Sequence, residues 1–253
     1  MWPFKPSAFL DAEDEAWQLK TWQCFLLRFG GVADLKRSPL VTPSATYFPP
    51  SKTAGHARAE YVFDRVKRHA GMEDWPCKLV EQPARPEARV SEFVFLQPVN
   101  KGFPLGTFGI SHNEVVITYD PASLGEPMTL VATFAHELAH YRLAPLREEL
   151  PGGEETHEFA TDLMTVYMGF GIFGADQAFN FSQHQDFMGQ GWKWSRQGYL
   201  PQRAWVFALA IFLQLRQQPM DDVKTYLKDY LFTDLKNAQR SLQRRPGLLA
   251  ALR

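Results

Sequence analysis

Apolar positions recur at helical spacing in residues 13–30 (EDEAWQLKTWQCFLLRFG), and the run closes on Gly30-Gly31. That pattern predicts one helix with a glycine stop. Residues 56–72 (HARAEYVFDRVKRHAGM) predict a second, amphipathic helix. Four short runs of β-type composition follow, separated by turn residues: CKLVEQ (77–82), SEFVFLQP (91–98), GTFGIS (106–111) and EVVITYD (114–120). Beyond residue 121 the pattern is helical, over 127–144, 153–173, 201–217 and 220–232, with a fifth helix in the tail. Pro127 suits a first helical position, and Pro145 forces a stop before it. Strands followed by helices predict an α+β fold, a small and mostly antiparallel sheet packed on a helical body. Residues 35–55 (LKRSPLVTPSATYFPPSKTAG) have no periodicity and are rich in Pro, Ser and Thr. They predict an extended connector on the surface, anchored by Tyr47 and Phe48. The chain is thereby divided into an N-terminal helix and connector, 1–55, and a main domain, 56–253.

Composition changes this picture little. The 253 residues are 45% hydrophobic and 22% charged, with a formal net charge of -1, ordinary for a globular chain. Charge gives no sign of a nucleic-acid partner or of an acidic membrane surface. Lys236, Arg240, Arg244, Arg245 and Arg253 make the C-terminal end locally basic, which reads as a solvated helix face. Cys24 and Cys77 match no metal or redox spacing. The start MWPFKPSAFLDAEDEAW lacks the basic opening and apolar run of a secretion signal. The apolar runs at 163–175 and 204–213 fall short of the roughly 20 residues a membrane span needs. A soluble, cytoplasmic protein with no membrane or nucleic-acid partner is expected; the oligomeric state is not legible. GFGIFG (169–174) fits GxGxxG, but it closes a helix instead of following a strand, so tight packing is the better reading. The sequence holds no GxxxxGK, GxSxG or CxxC.

The chemistry lies in HELAH, residues 136–140. With this chain's His and Glu content, a chance HExxH is about a 1% event, so the motif is informative. Residues four apart on a helix differ by about 40° and one turn, so His136 and His140 share a face and can hold one ion. Glu137 lies about 100° away, beside such an ion and placed to take a proton. Leu130, Val131, Phe134, Leu138 and Leu143 make the helix apolar on most sides and therefore buried. Two buried histidines on one face need partners, which a metal supplies. Zinc is the expected cofactor, and a third ligand must come from elsewhere. The next predicted helix offers Glu158, with Asp162 one turn further on the same face. Glu158 can bind the metal while Asp162 accepts the outer N–H of a ligand histidine. His157 is a rival ligand that points to a different face.

This arrangement resembles the zincin metallopeptidases, and among them the thermolysin-like gluzincins, over about residues 106–170. The resemblance implies a zincin-like fold with an HExxH active-site helix. It implies His136, His140 and Glu158 as zinc ligands, Glu137 as general base and Asp162 behind a ligand histidine. The zincin class with HExxHxxGxxH is excluded, because YRLAPL follows His140. The implied activity is peptide-bond hydrolysis by a zinc-bound water that Glu137 activates, with a peptide or protein as substrate. Gluzincins also supply a Tyr or His that steadies the oxyanion. No motif marks one here, and Tyr199, His184 and Tyr141 are the candidates. The substrate would add as a strand along FGISHNEVVITYD, where His112 either faces the cleft or serves as a turn residue. HEFATDLMTVYMGFGIF and GYLPQRAWVFALAIF also resemble a group of uncharacterised bacterial proteins that are similar to zinc proteases.

Two other readings stay open. In one, a catalytically inactive zincin fold binds metal and serves regulation or protein binding. In the other, no metal binds and the histidines are satisfied core groups, with His136 bonded to Asp162. If the connector crosses the cleft, it inhibits, and removal of residues 1–52 raises activity.

Overall fold

The computed structural model describes residues 8–83, 106–111, 114–175 and 200–252. The SEFVFLQP run, His112, His184 and Tyr199 lie outside the described residues. Within them the architecture is α+β and mostly helical, with one three-stranded sheet.

Helix α1 spans Ala12–Arg28, opened by Asp11, whose side chain accepts from the Asp14 amide. Gly30 and Gly31 both take left-handed backbone angles, and a second short helix, α2 (Gly31–Arg37), starts there. The glycine pair therefore turns the chain without ending the helical region. Helix α3 covers Gly55–His69. The connector before it lies along α3: the Tyr47 carbonyl accepts from Arg65 and His69, both at 3.0 Å, and the Pro49 carbonyl accepts from Tyr61 at 2.7 Å. Tyr47 and Phe48 both pack their rings on His69, and Phe48 also meets Phe173.

The strands are β1 (Lys78–Glu81), β2 (Gly106–Ser111) and β3 (Glu114–Tyr119), in the order β1-β3-β2. The sheet is mixed, not mostly antiparallel: β2 and β3 pair antiparallel, whereas β1 pairs parallel with β3. Only two positions separate β2 from β3 in the sequence, a spacing that requires an antiparallel pair, whereas 24 positions (82–105) separate β1 from β2 and leave the direction of β1 open. Along β3 burial alternates, with Val115, Ile117 and Tyr119 facing inward. That face packs on helix α4 (Pro127–Leu143), where Tyr119 meets Phe134 edge-on at 5.9 Å.

Helix α4 begins with Pro127 at its first position, and its core residues Leu130, Phe134, Leu138 and Leu143 are almost wholly buried. The expected single helix over 153–173 is broken into parts. A 3-10 turn (Gly153–Thr156) leads into helix α5 (His157–Thr165) and then a π-type turn (Val166–Phe170). Gly169 causes the break. It sits at φ +96°, and a Cβ there would lie 1.9 Å from the Pro39 carbonyl oxygen. The Val41 amide donates to the Gly169 carbonyl at 3.0 Å, so the connector crosses backbone to backbone.

Helix α6 (Gln202–Arg216) follows, then a short α7 (Asp221–Lys224), α8 (Asp229–Gln243) and α9 (Pro246–Ala250). The helix expected over 220–232 is thus two pieces. Leu231, Leu235, Ala238 and Leu242 form one buried stripe, and it carries α8 well past residue 232. One hydrophobic cluster joins these parts. It includes Trp22, Phe25 and Leu35 from the N-terminal segment, all fully buried. Trp22 and Phe25 each lie 5.7 Å from the Tyr167 ring. No helix among the described residues is long and apolar enough to cross a membrane.

Candidate metal centre

Helices α4 and α5 pack against each other, and the chain between them reverses through tight turns. Gly152 holds φ +87°, where a Cβ would lie 2.4 Å from the Thr156 hydroxyl oxygen. Thr156 itself donates to the Pro151 carbonyl at 2.7 Å. This compact return brings Glu158 opposite the face that carries His136 and His140.

Three atoms converge there. His136 Nε2 and His140 Nε2 lie 3.1 Å apart. Glu158 Oε2 is 3.4 Å from the first and 3.3 Å from the second. Among the described residues, His136, His140 and Glu158 form a group whose ligating atoms lie close enough together to share an ion. Two ligands about 2.0–2.1 Å from a tetrahedral ion stand about 3.3–3.4 Å apart, so this triangle has the size of one face of a zinc tetrahedron.

Contacts on the far sides of the rings fix which nitrogens face the cluster. His136 Nδ1 lies 3.0 Å from Asp162 Oδ1, so the carboxylate accepts its N–H. His140 Nδ1 lies 3.3 Å from Thr161 Oγ1. The Thr161 hydroxyl donates to the His157 carbonyl at 3.0 Å, which leaves its oxygen to accept from His140. Both rings are therefore held with Nε2 facing Glu158. Three electron-rich atoms this close repel one another unless a cation or a shared proton lies among them. The Asp162 bond alone does not separate a ligand histidine from a satisfied core histidine; the convergence of Glu158 and His140 on the same point makes the cluster a candidate site for a cation. Asp162 is anchored in turn by the Leu200 amide, which donates to Oδ2 at 2.7 Å.

Protonation follows these contacts. Burial alone would lower the His136 pKa, but the Asp162 and Glu158 carboxylates outweigh it and push it up to about 10. Burial opposes the charge on Glu158, yet the two histidines hold its carboxyl well below the usual range. Glu137 is buried, and burial with the nearby Glu158 charge raises its pKa against the opposing histidines. Strand β2 passes close above it. A Cβ at Gly106 would lie 2.6 Å from Thr133 and 3.1 Å from Glu137 Cγ, so glycine permits the approach.

One side of the cluster is open. Side-chain exposure is 12% for His136 and 47% for Glu158. Phe108 of β2 stacks on His140 at 6.3 Å and on Tyr141 at 5.7 Å. The Tyr141 hydroxyl donates to the Pro76 carbonyl at 3.2 Å, and its ring meets Trp75, so this candidate is committed to the rim. His157 is buried beside His140, 5.4 Å between ring centres, and its Nδ1 has no hydrogen-bond partner among the described residues. Burial and the neighbouring His140 lower its pKa. Thr161, the Leu200 amide and Phe108 escape the motif reading. Thr161 alone has a sequence signal, since it stands four residues after His157 and one turn after Glu158. No family model, curated protein or solved structure matches the chain.

Proposed function

We propose that the chain is a zinc-dependent peptidase or amide hydrolase. The observation that carries this reading is the triangle of His136 Nε2, His140 Nε2 and Glu158 Oε2, with edges of 3.1–3.4 Å and both histidines held by partners behind them. Those three residues would hold the ion, and the donor set of two imidazoles and a carboxylate suits zinc. Bound zinc supplies Lewis-acid chemistry, polarising a carbonyl and lowering the pKa of water.

The protein's own groups do the rest. Asp162 and Thr161 keep the two rings in a fixed tautomer and orientation. Glu137, with its raised pKa and buried carboxyl, accepts a proton from the attacking water and returns it to the leaving amine. Strand β2 stands at the edge of the sheet among the described residues, and an extended peptide can add there as a further strand. Phe108 would then lie against the substrate beside His140.

Hydrolysis of a fluorogenic peptide library by the zinc-loaded wild type, with Glu137→Gln alongside, tests the reading. Cleavage by the wild type that zinc chelation abolishes and Glu137→Gln lacks is the expected result. A zinc-loaded, folded wild type that cleaves nothing in the library contradicts it, as does a Glu137→Gln variant that cleaves equally well.

A further inference from the structure

The C-terminal basic cluster divides in the structure. Arg245 is outside the cavity lining: it grips Glu15 of α1 through two nitrogens, at 2.6 and 2.7 Å, and also donates to the Ser241 hydroxyl oxygen at 2.7 Å. Arg240 and Arg244 lie one turn apart at the end of α8 and face a cavity of about 300 Å³. Asn237 and Ser241 of the same helix face complete that wall, and Arg203 of α6 and Phe9 form the other.

Arg203 is fixed in place. It donates to the Phe9 carbonyl at 2.6 Å, and its guanidinium lies 4.2 Å over the Phe9 ring. Asp234 stands beside it at 3.7 Å, and Glu15 is already taken by Arg245. Among the described residues Arg240 and Arg244 make no side-chain hydrogen bond or ion pair. Like charges at this spacing repel along a helix, and a third cation from another helix adds to that repulsion. A solvated helix face disperses such charges over a convex surface; here they converge on a concavity with hydroxyl and amide donors between them.

We infer that this cavity binds the phosphate group of a small phosphorylated molecule. Guanidinium groups match phosphate oxygens in pairs, and the volume lies at the lower end of small-molecule sites, about 300–1,000 Å³. The cavity is separate from the metal centre, because none of its residues touches the histidine cluster.

Calorimetric titration of the full chain with inorganic phosphate tests it, with succinate at matched ionic strength as the second arm. Saturable phosphate binding is expected, weakened about tenfold or more in Arg240→Gln and in Arg244→Gln, with succinate binding weaker than phosphate. Both positions are exposed, and circular dichroism establishes that each variant is folded. No saturable phosphate binding by the wild type, unchanged affinity in both folded variants, or succinate binding as tight as phosphate would each overturn the assignment.

Discussion

Helices α4 and α6 are both buried on nearly every side, yet they bury different things. From Ala204 to Leu213 every residue of α6 is buried, and none is ionisable. The one polar side-chain group in that stretch is the Trp205 indole N–H, which donates to the Gly171 carbonyl. Helix α4 has the same kind of apolar frame, in Leu130, Phe134, Leu138 and Leu143, but it also encloses Glu137 and most of His136 and His140. Burying ionisable groups costs stability that apolar residues of similar volume would not cost. The α6 pattern is what the core alone requires. The α4 pattern exceeds it, and the excess falls on the three residues that converge with Glu158 and Asp162. Departures from an apolar core of this sort are where function is placed at the expense of stability.

Single substitutions in the two helices are expected to act in opposite ways. Phe212→Ala in α6 removes a fully buried ring, and thermal or denaturant unfolding is expected to show a loss of about 3–5 kcal/mol. Glu137→Gln in α4 is expected to leave stability unchanged or improved, because it removes a buried carboxyl whose charge burial already opposes. The same change is expected to lower peptide hydrolysis by about 10²–10⁴ while zinc stays bound, as kcat and metal content measured together will show. Unequal stability effects of this kind are required; a Glu137→Gln protein as unstable as Phe212→Ala would make α4 an ordinary core helix.

Smaller effects sharpen the contrast around the rings. Asp162→Asn keeps the shape but weakens the hold on His136 Nδ1, and zinc affinity from chelator competition is expected to drop about 10–100-fold. Thr161→Val removes a longer contact, 3.3 Å, and a decrease of less than about tenfold is expected. Equal losses from the two would argue that neither acts through its histidine.

Acidity provides the mildest test. In the metal-free protein the raised His136 pKa contributes stability that is fully present below 6.5 and fades as pH rises through about 10. The depressed Glu158 pKa contributes stability that is present above 4.5 and fades on acidification. The combined contribution of His136 and Glu158 to metal-free stability is therefore expected to peak between pH 4.5 and 6.5, as melting of the wild type and of a Glu158→Gln variant across pH will show. Zinc must displace the His136 proton, so its affinity for the folded protein is expected to rise with pH up to about 10. A pH-independent affinity would place the metal elsewhere.

Much of α4 was legible in the sequence because its signals are local. Pro127 and Pro145 bracket it, and the observed span Pro127–Leu143 ends one residue inside the expected stop. Strand GTFGIS occupies the residues its composition indicated, Gly106–Ser111. The meeting of His136, His140 and Glu158 followed from helical spacing and a short glycine-bearing return. What stayed hidden depends on distant neighbours. Gly30-Gly31 reads as a stop, and only the packing of α2 against α6 shows that the chain restarts a helix there. The π-type turn at Gly169 exists because Pro39, far back in the connector, crosses it. Phe108 comes to lie over His140 through the register of β2 on β3, which alternation within one strand does not reveal. The division of the arginines, Arg245 to Glu15 and Arg240 and Arg244 to the cavity, likewise needs the fold.

The most direct measurement is the zinc content of purified wild type beside Glu158→Ala, by elemental mass spectrometry after exposure to zinc and removal of the excess. About one zinc per folded wild-type chain is predicted, with most of it lost in a Glu158→Ala protein that remains folded. A folded wild type that retains no zinc, or a Glu158→Ala variant that retains as much, would contradict a metal centre at these three residues.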